Sequence, residues 1–326
     1  MNLDNDSVVF VSPAPPSISI AAGETPEIAI FDPKRRENSL ASSPGMQCSL
    51  FDMQTQHRIR EMVVTIKKKR VKLEEIVDLH RYPLNDPDAP AYKEAVAEAR
   101  SGLEKIGCVR LCGFLIPESV AGMAAETRER LDLVDRTVDL HNPYFSEPDE
   151  SLSEDHPQRI LSTRTNAFLC CDRISRTSLI WQLYESEYLR AFLQACLNFE
   201  ALYIYQDPMA AMLVNVQEDG AEFPWHFDSN EFSVSIMLQQ PDSGGVFQFS
   251  PGIRSPEDEN YEGVLEVLKG QSDRVITLDL KPGDLQLFKG RYSLHRVTAV
   301  RGPNPRFMAI LGYTLTPDMV AKPGRV

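Results

Sequence analysis

Nowhere in these 326 residues does an apolar run approach the roughly 20 residues that a membrane-spanning helix needs, so no membrane partner is expected. The opening MNLDNDSVVF has neither the basic start nor the apolar centre of a signal peptide, and the expected location is cytoplasmic. Positive charge is in deficit: 34 Lys and Arg stand against 47 Asp and Glu, giving a net charge of -13. Such a surface repels phosphate backbones, which makes nucleic acid a poor partner. No CxxC pair occurs among the six cysteines, Cys48, Cys108, Cys112, Cys170, Cys171 and Cys196. Their neighbours are apolar (GCVRLCGF, AFLCCD), the setting of reduced buried thiols rather than of a disulfide framework. No cysteine follows Cys196, and no internal repeat is visible.

What is present reads as an ordinary globular composition, 42% hydrophobic and 25% charged, with length enough for a sizeable core. Residues 1–55 carry scattered Pro, Ser and acidic residues without a lasting period, and read as a flexible arm. The basic run Lys67 to Lys72 resembles a short nuclear localisation signal, but reads better as a basic helix face with Glu74 and Glu75 as ion-pair partners. Residues 56–200 are expected to be mainly helical. A helix over 88–107 would be capped by Asp88 and ended by Gly107, a second would start at Pro117, and a third would cover 178–197, with CVRLCGFL as a strand. Residues 139–158 are polar and Pro-rich and read as a long surface loop.

After residue 200 the texture changes to short β-rich runs separated by turn signals such as PDSGG, KPGD and RGPNP, with one helical insert at 255–270. Helices first and strands second predict an α+β fold, a jelly roll over 201–318 packed against N-terminal helices.

One stretch carries chemistry. In FPWHFDSNEF, His226 and Asp228 are two residues apart, so an extended chain projects them to one face and Trp225 and Phe227 to the other. A third ligand should come from another strand. Of the six histidines, His57, His80, His141 and His156 lie near the arm, before a Pro-rich stretch or in the polar loop; only His226 and His295 are in the β-rich half. Two histidines and a carboxylate on one face of a metal leave positions open, the arrangement of non-haem Fe(II) oxygenases, whereas a structural zinc site fills its positions with Cys or a fourth ligand. If the electron-donating co-substrate is 2-oxoglutarate, its far carboxylate needs a basic partner. Arg306 in NPRFMAILGYT begins the strand after His295, and arginine matches a carboxylate with a two-bond fork. Arg296 should point away from the metal face, and Arg301 lies in a turn.

The order H-x-D, distal His, then Arg about a dozen residues later resembles the Fe(II)/2-oxoglutarate-dependent oxygenases. WHFDSNEFSVSIMLQQPDSGGVFQFSPGIRS with GDLQLFKGRYSLHRVTAVRGPNPRFMAILGY looks like the group that hydroxylates or halogenates free amino acids, over roughly 155–317. The resemblance implies a cupin-like double-stranded β-helix and a single oxygenase domain over 56–326. It implies metal ligands His226, Asp228 and His295, co-substrate anchor Arg306, and cofactors Fe(II), 2-oxoglutarate and O2. Halogenating members carry Gly or Ala at the aspartate position, so Asp228 implies hydroxylation. Tyr203, Tyr205 and Asn215 are candidates to face the co-substrate. Arg164, Trp225, Asn230 and Glu231 are candidate contacts for a zwitterionic small-molecule substrate. A homodimer is left open. The alternatives are desaturation or cyclisation with the same cofactors, a protein side-chain substrate, or a non-catalytic binding barrel.

Overall fold

The computed structural model describes residues 71–317 and Met319. The expected arm 1–55 and most of the basic run lie outside the described residues; at its end, Lys72 pairs with Glu74 at 3.6 Å.

The support layer starts with helix α1 (Pro90–Lys105), strand β1 (Cys108–Leu111) and helix α2 (Pro117–Arg128). Both helices open on proline, whose missing N–H is one of the unpaired donors at a helix start. Asp88 does not cap α1; it pairs with Lys93 at 3.4 Å. Gly107, with φ +66°, turns the chain from the helix into β1.

The segment expected to be a loop from residue 139 begins as a strand. β2 (Asp135–His141) pairs antiparallel with β3 (Ser162–Cys170), placing Asp139 opposite Arg164. As the sheet's edge strand, β2 leaves Val138 and Leu140 exposed, so no clear apolar alternation marks it in the sequence. Residues 56–200, expected to be mainly helical, thus also contribute β1, β2 and β3 to a sheet.

The helix expected over 178–197 is two, α3 (Leu179–Tyr184) and α4 (Glu187–Leu197). Ser178 and Ser186 each accept a backbone N–H as N-cap, and the second cap breaks what the apolar period reads as continuous.

A two-stranded ladder, β4 (Tyr203–Ile204) with β15 (Tyr313–Thr314), closes the far end. Between them run β5 (Met212–Gln217), β6 (Phe223–His226), β7 (Ser233–Gln239), β8 (Ser243–Gly244), β9 (Phe247–Ser250), helix α5 (Tyr261–Leu268), β10 (Ile276–Leu278), β11 (Leu285–Phe288), β12 (Leu294–Val297), β13 (Val300–Arg301) and β14 (Arg306–Leu311). They form a seven-stranded sheet, β1-β11-β7-β14-β5-β3-β2, and a four-stranded sheet, β10-β9-β12-β6, with antiparallel pairing throughout. From β5 onward the chain passes back and forth between the two sheets, which is a jelly roll.

Strand alternation sorts the side chains into layers. Val214, Val216, Val234, Ile236, Leu285, Leu287 and Phe307 leave the large sheet outward into one core with Trp181, Leu189 and Phe192 of the helices. Each large apolar side chain buried there contributes about 1.5–3 kcal/mol. The opposite face points into the roll, where Met237, Phe247, Phe249, Phe288 and Met308 form a second cluster. The insert α5, capped by Asn260, packs Val264 and Val267 on Phe227 and Leu294 at the outer face of the small sheet.

Candidate metal centre and co-substrate pocket

His226 ends β6 and His295 lies directly opposite it on β12, their ring centroids 4.0 Å apart. Asp228 follows on the same side, its Oδ1 3.5 Å from His295 Nε2 and 3.8 Å from His226 Nε2. One ligand atom from each of the three residues lies within 4.8 Å of the others. Both rings are oriented by the main chain: His226 Nδ1 is 2.8 Å from Pro224 O and His295 Nδ1 is 3.0 Å from Ser293 O. A carbonyl can only accept, so Nδ1 carries the proton in each ring. Both Nε2 lone pairs are left for a metal. Burial, and next the facing His295, hold His226 well below the usual imidazole range, so it stays in the neutral form a metal requires.

The surroundings are apolar. Phe288 lies edge-on to His295 at 4.8 Å, and Phe223 lies edge-on to His226 at 4.1 Å. Trp225 and Phe227, the aromatics adjacent in sequence, point the other way, as the alternation predicts. Phe227 belongs to the α5 cluster, and Trp225 packs against that cluster with Arg296 stacked over it at 4.7 Å. Trp225 is therefore on the face away from the metal group, with Arg296, whose Nε donates to Gln248 Oε1.

Arg306 begins β14 opposite Gln217 on β5 and is only 2% exposed. Nη1 donates to Gln217 Oε1 at 3.0 Å, while Nε is enclosed with no partner. No ion pair to it is found among the described residues. Burial alone pulls its pKa down to about 10. A guanidinium sealed in a protein without an acid is costly, and it is the donor set an incoming carboxylate would satisfy. Met308, on the same face of β14, packs with Phe247 and Phe288, the rings that flank His295, so Arg306 and the metal group share the interior of the roll. Gly245 lies against Arg306: a Cβ there would be 3.0 Å from Arg306 Cδ. A cavity of about 320 Å³, lined by Gly245, Val246, Phe247, Met237 and Leu280, adjoins this end.

Asn215 sits on β5 between Phe168 and Met308, on the interior side with Gln217. Tyr203 is on β4 in the far ladder, and Tyr205, just past it, hydrogen-bonds through its backbone to Gly312, so neither residue belongs to the sheets that carry the metal group. Asn230 and Glu231 are exposed in the loop after Asp228. Arg164 is buried, held by Asp139, which accepts from Nε at 2.9 Å and from Nη2, and its guanidinium faces Phe145 at 5.0 Å and Phe223 at 5.3 Å. The structure thus groups Arg164 with the rings beside His226.

His141 is expected from the sequence in a polar surface loop, away from the metal group. It ends β2, is 7% exposed, stacks on Phe145 at 4.4 Å and stands edge-on to His226 at 6.4 Å. Its Nδ1 is 2.8 Å from Asn142 O, and its Nε2 is enclosed with no partner. Only the β2–β3 pairing, invisible in a polar stretch, brings it there.

A family model described as Halogenase D matches residues 91–323. No curated protein matches the sequence. Among solved structures, an oxidoreductase of the 2OG-Fe(II) oxygenase family from Burkholderia pseudomallei is 16% identical with a TM-score of 0.44, covering 67% of this chain and 90% of its own. A Pseudomonas putida prolyl-4-hydroxylase is 18% identical with a TM-score of 0.41, covering 66% and 95%. SnoN, an alpha-ketoglutarate-dependent epimerase of nogalamycin biosynthesis, is 15% identical with a TM-score of 0.48, covering 68% and 83%. Likeness at that level carries no argument about reaction or substrate. The jelly roll, the His-Asp-His group and the unpaired buried arginine are the features expected from the sequence for an iron(II)- and 2-oxoglutarate-dependent oxygenase. The chain belongs to the Halogenase D family.

Proposed function

We propose that the protein hydroxylates an aliphatic C–H of a small polar metabolite, a free amino acid or a derivative of one, with release of succinate and CO2. The observation that carries the hydroxylase reading is the Asp228 carboxylate standing beside both Nε2 atoms. A carboxylate there takes a position that a halide would need, which argues against halogenation despite the family's name. His226, Asp228 and His295 would hold the iron, and Arg306 would bind the far carboxylate of 2-oxoglutarate. Iron and 2-oxoglutarate supply, when bound, the activation of O2.

The rest is the work of the chain's own side chains. The carbonyls of Pro224 and Ser293 fix the two imidazoles in one tautomer. Phe145, Phe223 and Phe288 keep water from the ring edges. Arg164, its charge paired with Asp139 and its guanidinium laid against Phe145 and Phe223, would border the substrate side. Residues 56–326 would act as one catalytic domain.

The test is anaerobic titration of metal-free protein with Fe(II) and 2-oxoglutarate, following the weak visible charge-transfer band of the chelate, then a screen of amino acids by succinate release and product mass. A band in the wild type that is lost in Asp228→Ala, followed by a product heavier by one oxygen, supports the proposal. Loss of two hydrogens in the product would move it to desaturation or cyclisation. Folded protein with no band would sink it.

A further inference from the structure

We propose that Gly290, in the turn between β11 and β12, is a positioning residue that makes room for the Asp228 carboxylate and aims it at the two histidines. The inference deepens the iron-site reading and rests on it for its functional meaning.

Glycine is not required at 290 by the backbone, since its φ lies outside the left-handed region that favours glycine. What it provides is space. A Cβ at 290 would fall inside the contact radius of Asp228 Oδ2, 2.5 Å from Asp228 Cγ and 2.8 Å from Asp228 Cβ. Oδ1 of the same carboxylate faces His295 Nε2 and His226 Nε2. One oxygen is thus turned to the metal position and the other lies against the bare face of Gly290. The Asp228 side chain is 26% exposed, so a crowded carboxylate has solvent to swing into.

The turn around Gly290 also holds the backbone of its target. Gly290 O accepts the Asp228 N–H at 3.2 Å, and Arg291 Nη2 donates to Ser229 O. The turn is itself anchored, with Lys289 N–H donating to Gly107 O at 2.8 Å and Arg254 Nε to Arg291 O at 2.8 Å. It ends at Ser293, the residue whose carbonyl orients His295. A single turn therefore braces two of the three ligands, Asp228 through Gly290 and His295 through Ser293.

The test is a double-mutant cycle in the full-length chain: wild type, Gly290→Ala, Asp228→Gly, and Asp228→Gly with Gly290→Ala. Two quantities are read, the Fe(II) affinity by anaerobic titration of the charge-transfer band with 2-oxoglutarate in excess, and the melting temperature of the metal-free protein. Gly290→Ala is expected to weaken Fe(II) binding by about 10- to 100-fold, the usual cost of disturbing a group that orients a ligand. It is also expected to lower the metal-free melting temperature when Asp228 is present, and to change it little once Asp228 is Gly. Wild-type Fe(II) affinity in Gly290→Ala would overturn the proposal. An equal fall in melting temperature in both backgrounds would also overturn it, because the turn itself would then be what needs glycine. Should the wild type give no band, the iron reading fails, and the melting cycle still decides whether Gly290 makes room for Asp228.

Discussion

Among the described residues, Arg306 and His141 each bury a side-chain nitrogen that finds no partner. Arg306 binds Gln217 through one nitrogen and leaves Nε enclosed without a partner. The expected outcome for Arg306→Lys is a 2-oxoglutarate dissociation constant raised at least tenfold, about 1.4 kcal/mol or more, because lysine keeps the charge but cannot make the planar two-bond fork. Anaerobic titration of the Fe(II) chelate band against 2-oxoglutarate measures it, and an unchanged constant would remove Arg306 from the co-substrate site. His226 and His141 make a pH prediction. Burial is the first cause of the lowered value in each, so both fold as neutral rings. The unfolded chain binds protons at its ordinary value near 6.5, above the folded values. The stability owed to the neutral rings is present above that pH and is lost as pH falls below it, at up to about 1.4 kcal/mol per pH unit for each ring. The chelator-treated protein should therefore melt at lower temperature at pH 5.5 than at pH 7.5. His141→Phe, which keeps a ring on Phe145, should flatten that slope, and a pH-independent melting temperature in the wild type would refute the neutral-ring picture.

At the scale of elements, the turn from β8 to β9 shows how a backbone conformation supports a side chain. Gly245 has φ +59° and lies against Arg306 Cδ and Pro241 Cγ, the latter 2.9 Å from where its Cβ would be. Gly245→Ala should cost about 1–2 kcal/mol in stability from the left-handed φ and also weaken 2-oxoglutarate binding. Gly270→Ala is the control. It has φ +69° and nothing within 4 Å of its Cβ, so it should cost comparable stability and leave the co-substrate constant alone. Equal constants in the two variants would mean that Gly245 does not bear on Arg306. The same scale explains what could be read in advance. That His226, Asp228 and His295 come together was legible because period-2 alternation and chain order group them without knowledge of any long-range contact. β5, β7, β9, β11 and β14 were legible from their apolar runs. The edge strand β2 was not, since one exposed face and a polar continuation hide its alternation, and His141 was lost with it. The break at Ser186 was overridden in reading by a continuous apolar period, though a serine N-cap is a local signal. Gly290 carried no sequence signal at all: its significance comes from Asp228, 62 residues away in sequence on the β6 side, a separation like that of the Arg291–Ser229 bond.

For the whole molecule, the two half-sites lie on different sheets. His226 and His295 are on the four-stranded sheet and Arg306 is on the seven-stranded one. 2-Oxoglutarate bound through Arg306 at one end and the metal at the other would join the sheets across the interior, so the two ligands should be coupled. Metal should tighten 2-oxoglutarate, and by linkage 2-oxoglutarate should tighten metal by the same factor. A ligand that binds only the folded state at a hundred times its dissociation constant adds about 2.7 kcal/mol. For a domain of this size that corresponds to a rise of about 5–10 °C in melting temperature. Thermal melts under nitrogen with neither ligand, with Fe(II), with 2-oxoglutarate and with both should show the pair exceeding the sum of the single shifts, and the excess should vanish in Asp228→Ala and shrink in Arg306→Lys. Strictly additive shifts in the wild type would mean that metal and co-substrate occupy independent sites, and the chelate on which the oxygenase reading depends would not exist.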